Sequence, residues 1–364
     1  MNKYKVCVYA ICKNEEKHIK RWYESMKEAD EIFVLDTGST DNSYNLLKEL
    51  GVHVIKKDIN PFRFDVARNE SLNLIPDDYD ICVCTDIDEV FESGWRKKLE
   101  EIWQKDTDRV AYNYNWMLDK DNNPVINFYI EKIHSRNNYI WTHPVHEVLK
   151  YTGKGKENII TTDNITLNHY PDNSKSRDSY LPLLELSVKE DPNDDRNMHY
   201  LGREYMYHKK YNEAIDTLEK HLLLPTATWK DERAASMRFI ARCYKQLNRP
   251  IESKMWLNLA IKEAPHLRDG YIELAILEYS LKEYNNVINN CLKALEIKTH
   301  NKTYINEKFS WDNTVYLLLS SAYFYKEDYK TSLKYANIAL SMDKNNESIM
   351  ENINIIKNKI EATS

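Results

Sequence analysis

Two carboxylates separated by one residue, Asp86 and Asp88, stand at the end of a short β-rich run over residues 80–86. In a continuing strand their side chains would share one face, and in a turn they could converge on one cation. Hard oxygen ligands of this kind suit Mn²⁺ or Mg²⁺. A solvated acidic turn has the same sequence, so the pair indicates a metal site only if neighbouring motifs support it.

The elements around this pair alternate between strand-like and helix-like segments. Short β-rich runs occupy residues 4–11, 31–36, 52–56 and 80–86. Helix-like segments lie between them, such as residues 41–50, which Gly51 closes in a position typical of a left-handed cap. This alternation predicts a parallel sheet covered by helices, in which ligands bind at the carboxyl ends of the strands. Asp36, Asp86 and Asp88 fall at two such ends.

Four motifs follow the predicted elements in a fixed order. They are Cys12-Lys13-Asn14-Glu15-Glu16, Val34-Leu35-Asp36-Thr37-Gly38-Ser39-Thr40-Asp41, Ala67-Arg68-Asn69 and Asp86-Ile87-Asp88-Glu89. In this order they resemble the inverting nucleotide-sugar glycosyltransferases of family 2, over residues 5 to about 170. The resemblance implies a GT-A fold, an α/β Rossmann-like catalytic domain with a parallel or mixed sheet. It also implies metal-dependent transfer of a hexose, with glucose the expected sugar, from a UDP-sugar.

The same resemblance assigns roles to individual residues. It implies that Asp36 accepts a hydrogen bond from the base, that Asp86 faces the ribose and the sugar, and that Asp88 holds Mn²⁺ or Mg²⁺ between the phosphates. Arg68 is expected to add positive charge near the nucleotide-sugar, while Asn69 fixes its loop. Many family members carry Asp-Asp where this chain has Asp followed by Thr. The residues expected to line the nucleotide-sugar site are Ala10, Cys12, Asn14, Glu15, Asp36, Arg68, Asp86 and Ile87.

Two later segments, His143-Pro144-Val145-His146-Glu147 and Asn168-His169-Tyr170, carry the remaining candidates. An inverting transferase needs a base to take the acceptor's proton as the acceptor attacks the anomeric carbon. Glu147 is the predicted base, since related enzymes carry their acidic base in this stretch. By resemblance to metal-dependent transferases that close the site with a late histidine, His169 is the predicted third metal ligand, with His146 as the alternative. For both His169 and His146, the alternative is a histidine that is hydrogen-bonded within the protein and binds no metal. His143 is predicted to be structural.

Aromatic residues recur along residues 110–117. Val110, Tyr112, Tyr114 and Trp116 share one face of the predicted strand. Such a stripe favours core packing over a sugar platform, so we expect these side chains in the core. Trp141 is the candidate for stacking on a sugar or an acceptor.

From about residue 196 the pattern is helical only, and four units of an internal repeat align. Each unit has a small residue in its first helix, and further positions follow twelve and then seven residues later. The three sets are Gly202, Ala241, Ala275 and Ser320; Ala214, Ser253, Val287 and Ser332; and His221, Ala260, Ala294 and Ala339. Ala241 and Ala275 lie 34 residues apart, the tetratricopeptide period. A non-repeating helical bundle is the alternative, and an isoleucine stripe at 349, 353, 356 and 360 predicts a capping helix.

The predicted organisation is a GT-A domain at 1–172, a connecting helix at 173–195 and a tetratricopeptide-like domain at 196–364. This order resembles the bacterial peptide S- and O-glycosyltransferases that modify sublancin-type bacteriocins. The resemblance implies a peptide or protein acceptor and allows a homodimer through the repeats. A saccharide or lipopolysaccharide-type acceptor and a non-catalytic, repeat-based interaction protein are the alternatives. No cluster of His, Asp or Glu able to hold a cation is expected in the repeat half.

The composition excludes several classes of protein. The 364 residues carry 51 Lys and Arg against 57 Asp and Glu, a net charge of −6, which disfavours nucleic acid as the main partner. Six cysteines without C-x-x-C spacing predict reduced core thiols in a cytoplasmic protein. No segment approaches the ~18–20 apolar residues that a membrane span needs.

Overall fold

A computed structural model describes residues 3–172, 179–301 and 303–363. The chain forms two compact units. The first comprises the described residues up to Ser187 together with Thr303 and Tyr304, and the second comprises the rest. The division between the units at Ser187 lies inside helix α5, Tyr180–Glu190. The domain boundaries given from the sequence stay predictions, and residues 173–178 of the predicted connecting helix lie outside the described part.

The described residues of the first unit include ten strands. They are β1 Val6–Cys12, β2 Glu31–Asp36, β3 His53–Lys56, β4 Ile81–Cys84, β5 Glu89–Phe91, β6 Arg109–Leu118, β7 Pro124–Ser135, β8 Tyr139–Thr142, β9 Val148–Tyr151 and β10 Ile159–His169. Eight of them form a mixed sheet in the order β3-β2-β1-β4-β7-β6-β10-β5, and β8 pairs with β9 as a separate antiparallel hairpin. Strands β1 to β4 are parallel neighbours, whereas β7 runs antiparallel to both β4 and β6.

Both faces of this sheet are buried, as β1 shows. Val6, Val8 and Ala10 pack in one apolar cluster with residues of the helices on that face. Cys7 and Tyr9 alternate with them and join a second cluster, which the helix Phe64–Leu72 and the β8–β9 hairpin cover. The helices of this unit up to β6 are α1 Glu16–Met26, α2 Ser43–Glu49, α3 Phe64–Leu72 and α4 Trp95–Ile102. A parallel sheet buried on both faces reads as continuous apolar strands, which explains the strand runs seen in the sequence.

The second unit consists of stacked helices. They are α6 Asp195–Tyr207, α7 Tyr211–Leu223, α8 Lys230–Gln246, α9 Pro250–Glu263, α10 Arg268–Ser280, α11 Tyr284–Glu296, α12 Thr314–Tyr325, α13 Tyr329–Met342 and α14 Glu347–Thr363, with a short 3₁₀ turn at Lys308–Ser310. All twelve aligned repeat positions are buried where paired helices meet. At Gly202 an added Cβ would lie 2.4 Å from Leu218 Cγ, so α6 and α7 approach too closely for a larger residue.

The predicted fold class is therefore confirmed: an α/β GT-A-type sheet domain precedes helical repeats. Ile349, Ile353 and Ile356 of α14 pack against α13, as expected of a capping helix. All six cysteines are free and buried. Within the described residues, no helix combines the length and the apolar character needed to cross a membrane.

Candidate active site

Arg68 joins the carboxylates at the end of β4 to the β8–β9 turn. Its buried guanidinium donates from Nη2 to Asp86 Oδ1 at 2.6 Å and from Nε to Glu147 Oε1 at 2.6 Å. Burial would raise the pKa of Asp86, but the charges of Arg68 and Lys132 outweigh it and hold that pKa well below its usual range. Asp86 is thus an ionised carboxylate, fixed in place by two cations.

Lys132 of β7 is the second of these cations, and it was not identified from the sequence. Its Nζ lies 3.0 Å from Asp86 Oδ2 and 3.3 Å from Glu89 Oε1. The other oxygen of Glu89 accepts from the backbone N–H of Asp86 at 2.8 Å. Glu89 is completely buried, and burial raises its pKa. Lys132 therefore holds the Asp86 carboxylate directly, and Glu89 holds both Lys132 and the backbone of Asp86.

Asp88 faces His169 across the site. His169 Nε2 lies 3.3 Å from Asp88 Oδ2, and His169 Nδ1 donates to the carbonyl of Trp116 at 3.0 Å. Burial lowers the pKa of His169, but the hydrogen bond and charge of Asp88 outweigh burial, so the pKa is raised overall. The ring is held with one nitrogen on the backbone and the other directed at a carboxylate, an arrangement common to metal-binding histidines.

Asp36 lies at the end of β2 with its side chain completely buried. Its Oδ1 accepts from the backbone N–H groups of Gly38 and Ser39, at 2.9 and 2.8 Å. Its Oδ2 has no hydrogen-bond partner among the described residues. A buried acceptor without a partner is costly, so this oxygen is suited to an N–H donor supplied by a ligand.

Asn14 and Glu15 connect the loops that follow β1 and β2. Asn14 Oδ1 accepts from the backbone N–H of Thr40 at 2.8 Å, and the Glu15 N–H donates to Ser43 Oγ at 2.7 Å. Asn14 has φ +56°, in the left-handed region that asparagine tolerates better than most residues. The two motif loops therefore form one connected wall at the carboxyl ends of the strands.

Three of the predicted lining residues place their side chains in the interior. Ala10 and Ile87 belong to the apolar core, and burial raises the pKa of the Cys12 thiol to about 12. The carbonyl of Cys12 accepts from the N–H of Thr37 at 2.8 Å. These residues shape the backbone of the loops, and their side chains are not free to contact a ligand.

The predicted base, Glu147, lies in the turn between β8 and β9. Arg68 occupies its Oε1, whereas its Oε2 makes no hydrogen bond with any described residue. His143 and His146 lie in the same turn with positive φ values of 76° and 51°, and the ring of His146 lies 5.7 Å from that of Tyr180. The structure thus places His169, and not His146, against Asp88.

Two expectations about tryptophans are wrong. Trp141 is buried, and its Nε1 donates to the hydroxyl of Tyr9 at 2.9 Å, so it packs in the core and cannot stack on a sugar. Its backbone N–H and carbonyl bind the side-chain amide of Asn69, so Asn69 joins α3 to β8. Trp116 was expected in the core, but it is 40% exposed, because it lies at the end of β6, where residues 116–118 are no longer buried. Its ring stacks on His169 at 6.4 Å.

The expectation that the repeat half holds no cation-binding cluster is also wrong. Asp195, His221 and Glu232 each offer a ligand atom, and these atoms lie within 4.8 Å of one another. They come from three different helices, which is why no local motif indicated them.

Comparison with known families agrees with this geometry. Residues 7–164 match the model of the family described as Glycosyl transferase family 2. The matched segment is less than half of the chain. The matched residues include Asp36, Arg68, Asp86, Asp88 and Glu147, so the polar network lies within the matched segment, and His169 follows that segment by five residues. No curated protein matches the chain with significance.

Several solved structures match about half of this chain. They include the MamA protein, with 22% identity over 46% of this chain and 82% of that one and a TM-score of 0.37. PilF of Pseudomonas aeruginosa has 16% identity over 47% and 70% of the two chains, with a TM-score of 0.37. A thermophilic TPR protein of Thermus thermophilus has 15% identity over 49% and 89%, with a TM-score of 0.36.

Three residues of the candidate site could not be identified from the sequence: Lys132, Glu89 and Trp116. Lys132 carries a weak signal, because it and Glu131 interrupt a run of apolar residues formed by Phe128, Tyr129, Ile130 and Ile133. Glu89 was seen only as the end of a motif. Trp116 gave no usable signal, because its alternation with Tyr114 is that of a core strand.

Proposed function

We propose that this chain is an inverting, metal-dependent glycosyltransferase that moves a hexose, glucose in our prediction, from a UDP-sugar to a Cys, Ser or Thr side chain of a peptide or protein. The observation that carries the proposal is the approach of His169 Nε2 to Asp88 Oδ2 at 3.3 Å. It lies in the same small region as the Asp86–Arg68–Glu147 network.

The residues present fit Mn²⁺ or Mg²⁺. Because the Trp116 carbonyl accepts from Nδ1–H of His169, it is Nε2 that shares a proton with Asp88, and release of that proton leaves a lone pair directed at the carboxylate. Two electron-rich groups that face each other attract a cation. Asp88 and His169 would hold the ion, and the imidazole ligand favours Mn²⁺ over Mg²⁺. When bound, the ion would neutralise charge on the departing diphosphate.

The proposed donor is a uridine nucleotide, and Asp36 is its proposed recognition residue. The free Oδ2 of Asp36 can accept one N–H, while its Oδ1 is occupied by two backbone donors. Uracil presents one ring N–H between two carbonyls, which suits a single carboxylate oxygen. The Asn14 and Glu15 loop forms the adjoining wall.

Glu147 is the proposed base. Arg68 anchors Oε1 of Glu147, and the remaining oxygen is available to take the proton of an attacking hydroxyl. Arg68 also holds Asp86, so it couples the position of the base to that of the carboxylate proposed to face the sugar. If the acceptor is a thiol, the base has less to do, because thiols ionise more readily than hydroxyls.

The proposed acceptor is a polypeptide that the helical repeats recruit, since stacked helix pairs present an extended surface. Exposed Trp116, which stacks on His169, is the proposed platform for the sugar or the acceptor. Self-association through the repeats is part of the proposal. So is a cytoplasmic location, which the six free thiols support.

The test is release of nucleoside diphosphate by the purified full chain with Mn²⁺ and UDP-glucose, UDP-galactose or GDP-mannose. Asp88→Asn should lower release at least tenfold while the thermal unfolding profile changes little, because this carboxylate is at a metal site and adds little packing. Asp121→Asn, an exposed aspartate in the β6–β7 turn, is the matched control and should behave as the parent.

If Asp88→Asn keeps more than a tenth of the parent turnover, the metal assignment is wrong. Removal of Mn²⁺ with EDTA should reproduce the loss, and added Mn²⁺ should restore turnover. Mass spectrometry of candidate peptides incubated with the donor then identifies the acceptor atom. Transfer to a saccharide but to no peptide would contradict the proposed acceptor class.

A further inference from the structure

Three helices at the start of the repeat unit bring together Asp195, His221 and Glu232. Asp195 is the first residue of α6, His221 lies in the last turn of α7, and Glu232 lies in the first turn of α8. One ligand atom from each lies within 4.8 Å of the others. The cluster therefore joins one end of three consecutive helices.

His221 adds a buried ring nitrogen to the two carboxylates of this cluster. Its side chain is completely buried, and its Nε2 has no hydrogen-bond partner among the residues that the structure describes. This nitrogen lies 3.4 Å from Glu232 Oε1, an ion-pair distance if the ring is protonated, but the two atoms form no hydrogen bond. A buried polar nitrogen aimed at carboxylates without a hydrogen bond indicates a group that the protein itself does not supply.

The other nitrogen of His221 is anchored. Its Nδ1 lies 3.0 Å from Ser236 Oγ, which lies 2.7 Å from His199 Nδ1. Ser236 has one hydroxyl proton; when it donates to His199, Nδ1–H of His221 donates to Ser236. The lone pair of His221 Nε2 then faces the two carboxylates, in the geometry of a metal-binding histidine.

The repeat itself marks His221 as an exception. The corresponding positions in the other three units are Ala260, Ala294 and Ala339, all buried where two helices meet. Close helix packing explains alanine at this position, but it does not explain a buried imidazole. A ligand role does.

We propose that Asp195, His221 and Glu232 bind Zn²⁺, with a fourth position open to water. A tetrahedral ion with bonds of about 2.0–2.1 Å has ligand atoms about 3.3 Å apart, close to the separation of His221 Nε2 and Glu232 Oε1. Asp195, which is half-buried, needs only a small movement to complete the set. The bound ion would crosslink α6, α7 and α8, and it would raise the stability of the repeat unit by binding only the folded chain.

The experiment uses the full chain carrying Asp88→Asn, so that the candidate active site does not contribute. After treatment with a chelator, Co²⁺ is added as a spectroscopic probe and Zn²⁺ is added during thermal unfolding. We expect the visible absorption of tetrahedral Co²⁺, its displacement by one equivalent of Zn²⁺, and a rise in Tm that grows with Zn²⁺ concentration.

Two further variants, each added to this parent, test the ligands. Asp195→Asn removes a ligand charge at a half-buried position, and His221→Ala restores the residue that the other repeats carry, so both should fold. Each should weaken Zn²⁺ binding at least tenfold, whereas Asp216→Asn, at an exposed position of α7, should bind as the parent does. If the parent shows no Co²⁺ absorption or no Tm rise, or if both variants bind Zn²⁺ as tightly as the parent, the cluster is an ion pair of His221 with acidic neighbours and the proposal is wrong.

Discussion

Lys132→Met removes the cation that lies between Asp86 and Glu89, and its cost can be worked out from the contacts. Lys132 is 15% exposed, Glu89 is completely buried, and the Nζ–carboxylate distances are 3.0 and 3.3 Å. Breaking a buried ion pair by removing one partner costs about 3–5 kcal/mol. Asp86 keeps its bond to Arg68, so we expect the lower end, about 3 kcal/mol of unfolding free energy at neutral pH.

The reasoning is tested by a second change in the same network. In Lys132→Met the carboxylate of Glu89 is buried without a cation. The double variant Lys132→Met/Glu89→Gln should therefore recover at least half of the lost unfolding free energy. Glutamine keeps an oxygen for the backbone N–H of Asp86, which Glu89 now satisfies. Alone, Glu89→Gln should cost less than Lys132→Met, because Lys132 retains Asp86.

The assay is urea unfolding of the four proteins of this cycle, with Lys150→Met on the exposed side of β9 as the control. The control should stay within about 0.5 kcal/mol of the parent, as surface substitutions do. A loss below about 1 kcal/mol in Lys132→Met would show that the buried charges are not balanced as the structure implies. Losses that simply add in the double variant would refute the coupling through Glu89.

UDP should bind more tightly than GDP, and Asp36→Asn should reduce that preference, as isothermal titration can measure; tighter binding of GDP would refute the assignment of Asp36. Glu147→Gln should lower turnover far more than it weakens donor binding, because a base acts only in the transition state; near-normal turnover in steady-state assays would place the base elsewhere or indicate a thiolate acceptor. Gly202→Ala should destabilise the chain by about 1–3 kcal/mol, since the new Cβ would clash with Leu218. Gly270→Ala, whose Cβ would lie 3.0 Å from Cγ1 of Ile261, is the comparison in thermal unfolding and should cost less than Gly202→Ala, because its nearest contact is longer.

Local sequence patterns determined the strands that carry the site. The apolar run that ends in Asp36 is strand β2. The run that ends in Asp86 is strand β4 and the first residues after it. Both carboxylates lie at the same edge of the sheet. This could be predicted because strand character and the rule for the carboxyl ends of parallel strands depend on neighbouring residues and chain order. The repeat positions could be predicted for the same reason, since small residues recur at fixed offsets within helix pairs.

Only the tertiary structure decided which distant side chains meet. Lys132 reaches Asp86 because β7 pairs antiparallel with β4, a pairing of residues about 50 positions apart that no local period encodes. Trp116 was expected in the core because alternation along a strand does not reveal where burial of the strand ends. Trp141 was expected at the surface because the sequence does not reveal that the β8–β9 hairpin packs on the sheet. His221 meets Asp195 and Glu232 only through the stacking of three helices. The sequence by itself determined the elements and the order of the motifs, and long-range packing determined which charges lie together, because burial and pairing depend on the whole fold.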